Sequence, residues 1–172
     1  MELLIPGLIL VALMIYASTR IKRSAARAFE AETIETDDFV IQKPDGLLNV
    51  IGGDPKFAFE AYSRDFGGDG TENIRLATAN VVLRPDTSIN EAANEILSSN
   101  GKIVYDRDEK ISGINYRMIE HIVTDHDVDF RVKSKLAERD GRVLIFTTKT
   151  IAETTPEFMR NIETMFDSFE LK

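Results

Sequence analysis

The sequence VDFRVKSKLAERDGRVLIFTTKTI, from Val128 to Ile151, decides the fold class of this chain. Apolar and charged side chains alternate through its first half, with Val128, Phe130, Val132, Ser134 and Leu136 on one face and Asp129, Arg131, Lys133 and Lys135 on the other. This alternation is typical of an antiparallel strand with one face on the core and one in water. Asp140-Gly141 is a favoured hairpin turn, so the sequence predicts that residues 128–136 pair with residues 143–151.

A helix is predicted before this hairpin, and both of its ends carry signals. Ser88 and Glu91 have the spacing of a capping box, and Asn100-Gly101 predicts a left-handed stop. Between them the apolar residues share one helical face, at Ile89, Ala92, Ala93, Ile96 and Leu97. The spacing predicts an amphipathic helix.

A second amphipathic helix is predicted after the hairpin. Thr155 is the expected N-cap, and Pro156 lies in the first turn. Its apolar stripe consists of Phe158, Ile162, Met165, Phe166 and Phe169. We interpret this stripe as core packing against a sheet, not as a ligand-binding site.

Six further segments have the composition of strands, at 39–41, 47–51, 57–62, 74–83, 102–106 and 114–123. Pro44-Asp45-Gly46 predicts a hairpin between the first two, and Gly52–Pro55 and Asp108–Lys110 predict further turns. A slip in alternation near Met118-Ile119 predicts a β-bulge. The predicted order is β-β-β-β-α-β-β-β-β-α, an α+β fold with an antiparallel sheet and two packed helices.

The beginning of the sequence is apolar. Leu3–Ala17 contains no charged residue, and a basic cluster follows it at Arg20, Lys22, Arg23 and Arg27. As a helix, residues 1–19 would extend about 28 Å, close to the roughly 30 Å of a bilayer core. We therefore predict a transmembrane anchor at 1–19, a juxtamembrane helical stalk and linker at 20–37, and an α+β domain at 38–172.

Two alternatives for this apolar stretch are a cleaved signal peptide and a buried helix of a soluble core. A signal peptide has positive charge before the apolar run, whereas Met1-Glu2 supplies an acid. The cations Arg20, Lys22, Arg23 and Arg27 all follow the run, and such residues stay on the cytoplasmic side. The sequence thus predicts a single-pass protein of the inner membrane, with its C-terminal domain in the cytoplasm and the lipid bilayer as a partner.

The composition excludes several classes of function. The chain has 21 Lys and Arg against 29 Asp and Glu, a net charge of −8, which argues against a nucleic-acid partner. It has no cysteine, so disulfides, thiolate metal sites and thiol nucleophiles are excluded. No Gly-x-Ser-x-Gly elbow is present, and no cofactor is predicted.

One cluster of ionisable residues could bind a divalent metal. The segment EHIVTDHDVDF, residues 120–130, contains the weak candidates His121, Asp125, His126 and Asp127. Imidazole and carboxylate groups are metal ligands. However, Thr124–Asp127 falls between two predicted strands, where Asp and His are ordinary turn residues. A solvated loop is therefore preferred to a metal site or a catalytic histidine, and no metal or catalytic residue is assigned.

Two stretches and the order of elements resemble a known family. FVIQKPDGLLNV, from Phe39 to Val50, is similar to the strand–Pro–Gly–strand entry of the Mog1/PsbP-like domains, which include the bacterial DcrB-like inner-membrane proteins. Ile162–Phe169 is similar to their closing helix with its Ser-Phe end. The resemblance covers about 38–171 and implies a non-catalytic binding or accessory domain. The chain differs from photosynthetic members in its retained anchor and from lipoprotein members in lacking a lipobox cysteine.

These observations lead to one functional hypothesis and two alternatives. The chain is expected to be a membrane-anchored, non-catalytic, protein-binding or accessory subunit of a bacterial membrane complex. The first alternative is a membrane-tethered carrier or sensor that binds a small ligand in a cleft between sheet and helices. The second, a membrane-bound hydrolase, would need a pocket with a buried titratable pair, for which the sequence gives no motif.

Overall fold

Alternating and turn-bounded segments of the sequence form ten strands in the computed structural model, which describes residues 11, 13–20, 26–67, 74–99 and 101–172. The strands are β1 (Glu32–Glu35), β2 (Phe39–Lys43), β3 (Leu47–Asn49), β4 (Phe57–Ser63), β5 (Ala77–Pro85), β6 (Lys102–Ile111), β7 (Ile114–Asp125), β8 (Val128–Arg139), β9 (Arg142–Ile151) and β10 (Glu170–Leu171). Helix α1 (Ile89–Leu97) lies between β5 and β6, and helix α2 (Pro156–Asp167) between β9 and β10.

The strands form two antiparallel sheets. The larger has the order β3-β4-β5-β9-β8-β7-β6, and the smaller has the order β1-β2-β10. Helix α2 and the small sheet pack on one face of the large sheet, and α1 packs on the opposite face. The predicted α+β class is therefore confirmed, with two sheets in place of one.

The β8–β9 hairpin is confirmed, but the face of β8 that was predicted to lie in water is buried at Lys135. The register runs from Phe130↔Ile151 to Arg139↔Arg142, and Asp140 and Gly141 both have positive φ. Lys135 is only 1% exposed, although the alternation assigned it to water. The reason is that α2 lies on this face, so both faces of the central strands are covered.

Helix α1 begins as predicted and ends differently. Ser88 and Glu91 form the capping box. The helix ends at Leu97, and Ser98 is a C-cap with right-handed backbone angles. Gly101 does not have the left-handed conformation that the predicted stop requires, so the prediction is wrong for that residue. Asn100 lies outside the described residues. Gly101 is required by space instead, because a Cβ there would lie 2.8 Å from His121 Cδ2.

Helix α2 supplies the centre of the main core, as its apolar stripe predicted. Thr155 accepts a hydrogen bond from the N–H of Phe158, and Pro156 occupies the first turn. The ring of Phe146 on β9 stacks with those of Phe166 and Phe169, with centroids 5.9 and 5.1 Å apart. These buried aromatic rings fill the space between sheet and helix.

The prediction is wrong in three respects at the small sheet, two of them in the order of elements and one in strand pairing. Strand β1 lies in the stretch expected to be stalk and linker, and β10, only two residues long, follows α2. The predicted hairpin of residues 39–41 with 47–51 does not form, because β2 pairs with β1 and β10 while β3 pairs with β4. The turn itself exists, with Gly46 at φ +86, but it leads the chain from one sheet to the other.

The predictions around β6 and β7 also need correction. Residues 108–110 continue β6, and the turn is at Ser112-Gly113, both with positive φ. The predicted bulge near Met118-Ile119 is absent from the continuous β7–β8 register; the irregularity lies on β6, between Ile103 and Tyr105. Alternation slips in β7 because core residues cover both of its faces.

A third helical segment includes Val11 and residues 13–20. Of the helices within the described residues, none has the length and apolar content needed to cross a membrane. Residues 1–10 and 12, on which the predicted anchor mainly depends, lie outside the described part of the chain.

Candidate functional site

The β7–β8 turn carries two of the predicted metal candidates on its tip. His126 and Asp127 have φ values of 50° and 61°, the left-handed pair that a two-residue hairpin turn requires. The His126 side chain is 82% exposed. The prediction that His126 lies in a solvated turn is therefore confirmed.

The carboxylate of Asp125 is engaged by its neighbours at this turn. Asp125 Oδ1 lies 2.7 Å from His126 Nδ1, and Oδ2 accepts a hydrogen bond from Lys149 Nζ at 3.2 Å. The hydrogen bond from Lys149 is the main cause that lowers the pKa of Asp125. Within the described ranges, no three His, Asp or Glu side chains are grouped so that they could hold a metal ion.

His121 lies in the interior, away from this turn. It is 5% exposed, and four residues of strand, about 13 Å, separate it from Asp125. Its ring packs against Gly101, and its Nδ1 has no hydrogen-bond partner among the residues that the structure describes. Burial lowers the pKa of His121, so the neutral ring is favoured. The structure does not bring His121 together with the residues of the turn.

A network of charged side chains that the sequence did not reveal lies on the face of β7 opposite to His121. The Glu120 side chain is 8% exposed, with Arg131 Nε at 3.3 Å and Lys133 Nζ at 4.0 Å. Within the described part of the chain, the Nε–H of Arg131 makes no hydrogen bond to this carboxylate or to any other group, so its contact with Glu120 is an ion pair. Lys133 also reaches Glu163 on α2, at 3.5 Å. The two cations compensate the charge of the nearly buried Glu120, and Lys133 connects this pair of strands to α2.

An open groove of about 310 Å³ adjoins the turn. Phe130 forms its apolar floor, with Lys149 Nζ 4.0 Å from the centre of the ring. Arg75 forms another wall, and its guanidinium lies between the rings of Tyr62 and Phe66 at 4.4 and 4.2 Å. Both cations that line the groove are therefore already engaged with aromatic rings of the domain.

A buried lysine attaches the segment before β1 to the domain. Lys43 Nζ donates to the main-chain oxygens of Glu30 at 2.6 Å and Leu47 at 2.7 Å, and it lies 3.7 Å from Glu32 Oε1. Burial lowers its pKa, and the nearby Glu32 opposes that effect. We call residues 29–32 the neck. Its contacts make it part of the folded domain.

The predicted membrane-flanking residues are only partly described. Arg20 and Arg27 are exposed. Lys22 and Arg23 lie outside the described residues.

Neither a protein-family model nor a curated protein sequence matches the chain. Solved structures do match, each over 83% of this chain. PsbP of Synechocystis sp. PCC 6803 (CyanoP) is 13% identical with a TM-score of 0.56 and 92% of its length covered. LpqN of Mycobacterium tuberculosis is 10% identical, with a TM-score of 0.61 and 91% covered. The Ran-binding protein Mog1p of Saccharomyces cerevisiae is 11% identical, with a TM-score of 0.53 and 96% covered.

The chain has the Mog1/PsbP-like fold. The resemblance in the sequence is thereby confirmed at the level of fold. The neck and β1 precede the strand–Pro–Gly–strand entry. Strand β1 pairs with β2, and Lys43 at the end of β2 donates to Glu30 O in the neck.

Proposed function

We propose that this Mog1/PsbP-like chain is a single-pass, membrane-anchored, non-catalytic subunit that binds another protein of a bacterial membrane complex. The shared fold is the observation that carries the proposal. One neighbour of that fold, Mog1p, is described as a Ran-binding protein. Another, LpqN, is described as involved in cell envelope biogenesis.

The helical segment before the neck supports the membrane anchor. Val11, Leu13, Met14, Ile15 and Tyr16 are each between 54% and 66% exposed. Consecutive residues of a helix point about 100° apart, so apolar side chains uncovered at 13–16 occur on every side of it. A helix that is apolar all round is stable when lipid or another chain surrounds it. The exposed Arg20 and Arg27 that follow support a cytoplasmic domain.

The outer edge of the large sheet supports protein binding. Strand β6 ends the sheet, and its Ile103 and Val104 are 39% and 51% exposed beside the register irregularity. Unpaired strand edges are used to bind extended segments of partners. By contrast, the rings of Phe146, Phe166 and Phe169 fill the space where a ligand cleft between sheet and α2 was considered.

The experiment is affinity purification of the full-length chain from mildly solubilised bacterial membranes. We expect retention in membranes after carbonate washing and a stoichiometric partner, lost on Val104→Asp. Ile51→Asp is the matched control, because Ile51 is 93% exposed on a loop far from β6. Recovery of a lone monomer from the wild-type chain, or release by carbonate, contradicts the proposal. A C-terminal alkaline phosphatase fusion that is active in the periplasm contradicts the orientation.

A further inference from the structure

We propose that the end of the domain with the β7–β8 turn faces the lipid surface, and the end with the β8–β9 turn faces away from it. This inference rests on the proposed membrane anchor. It concerns which surface lies beside lipid, and it follows from where the neck joins the sheet.

The neck is attached at several independent points. Besides the two bonds from Lys43, the N–H of Gly46 donates to Phe29 O at 2.8 Å, and the N–H of Ala31 donates to Asp45 Oδ1 at 2.6 Å. Four residue pairs of β1 and β2 follow immediately. The part of the chain that moves with the domain therefore begins at Phe29.

The register of the large sheet shows which end the neck occupies. Gly46 O accepts a hydrogen bond from the N–H of Arg64, and Leu47 pairs with Ser63. The N–H of Ala77 donates to Ser63 Oγ. From Ala77 a row of paired residues crosses the sheet, through Ala77↔Thr150, Thr150↔Arg131 and Arg131↔Ile122. The β7–β8 turn and Glu153 lie just beyond this row, on the neck side. We call this the neck end.

The opposite end lies well away from the neck. Glu138 pairs with Val143 beside the β8–β9 turn, seven strand residues from the row, or about 23 Å. Phe29 is nine positions after Arg20, which limits the separation of their Cα atoms to about 30 Å. The tether thus keeps Phe29 within this distance of Arg20, at the end of the apolar helix, whereas Glu138 lies about 23 Å farther along the sheet from the neck.

The test uses the absence of cysteine from the chain. Glu153→Cys at the neck end and Glu138→Cys at the far end are matched exposed glutamates. Each full-length variant receives one fluorophore and is reconstituted in phosphatidylcholine–phosphatidylglycerol vesicles with a spin-labelled headgroup. We expect several-fold stronger quenching at position 153. Equal quenching, or stronger quenching at 138, overturns the inference.

A Gly-Ser insertion tests whether the short tether is what brings the neck end close to lipid. About twelve residues placed between Arg27 and Ala28 add about 20 Å of flexible reach, and we expect the two positions to be quenched nearly equally. If position 153 stays preferentially quenched, the neck end binds lipid by itself, and the proposed cause is wrong. Failure of the wild-type chain to float with vesicles refutes the membrane anchor instead, so the two failures are distinguishable.

Discussion

The ammonium group of Lys43 lies 2.6 Å from the main-chain oxygen of Glu30 and is closed off from solvent on all sides. A buried charge of this kind is stable only when hydrogen bonds compensate its lost hydration. Here the compensation comes from main-chain oxygens on both sides of β2, at Glu30 and Leu47. Lys43, the last residue of β2, therefore also fixes the neck to the domain.

Lys43→Met should release the neck without unfolding the domain. Each buried acceptor left without a donor costs about 1–3 kcal/mol, and two oxygens lose theirs. We expect faster trypsin cleavage after Arg27, measured by mass spectrometry on the full-length chain. Lys135→Met is the matched control, because Lys135 is equally buried but donates to Phe169 O and Asp167 O at the end of α2. An unchanged rate for Lys43→Met contradicts this role.

Gly101→Ala should destabilise the domain through its contact with His121. The added Cβ would lie 2.8 Å from His121 Cδ2 and 3.1 Å from the main-chain oxygen of Ile122. Overpacking of this kind costs about 1–3 kcal/mol. His121→Ala in the same chain should recover part of the loss, with a coupling energy above about 0.5 kcal/mol. Urea unfolding of the four chains measures it, and strict additivity would show that the clash is relieved elsewhere.

His121 should make the folded state less stable as the pH falls. Its pKa is lowered by burial in the folded state, so below about pH 6.5 the unfolded chain takes up a proton that the folded chain resists. The free energy of unfolding then decreases toward acid, by at most about 1.4 kcal/mol per pH unit, until the pH passes the folded pKa.

Chemical denaturation between about pH 7.5 and 5 tests this dependence, because the range extends to both sides of the ordinary histidine pKa of about 6.5. His121→Phe should flatten the curve in this range. A wild-type curve that matches His121→Phe would contradict the prediction.

Ser88→Ala should cost about 1 kcal/mol, because the side chain caps α1 by accepting from the N–H of Glu91. Ser98→Ala at the other end of the helix should change stability by less than about 0.5 kcal/mol, since its hydroxyl donates to Asn94 O in an exposed position. Thermal unfolding compares the two. Equal losses would mean that the capping box has no special role.

Local chemistry predicted the elements that depend on neighbours in sequence. Alternation and Asp140-Gly141 predicted the β8–β9 pairing, and Ser88 with Glu91 predicted the start of α1, because both signals act within a few residues. The turn at Gly46 was also predicted, but turn chemistry says that the chain reverses and not which strand it joins. The small sheet therefore could not be derived, since β2 pairs with residues 170–171.

The candidate site was predictable only in part for the same reason. The sequence located Asp125, His126 and Asp127 at a turn, because Asp and His favour turns. The burial of Lys135, the network around Glu120 and the contact of His121 with Gly101 depend on where α2 and the segment before β6 pack. These are long-range relationships, which is why period-two alternation assigned Lys135 to water.

The pairing of Leu171 with Phe39 has a consequence for how the protein is made. During synthesis β1 and β2 emerge early, yet the third strand of their sheet arrives only after every other strand and both helices have been translated. One edge of β2 therefore stays without its β10 partner until residues 170–171 have been synthesised. A ribosome-stalled chain that ends before residue 170 should bind strand-capturing chaperones at β2, and one extended past residue 172 should not.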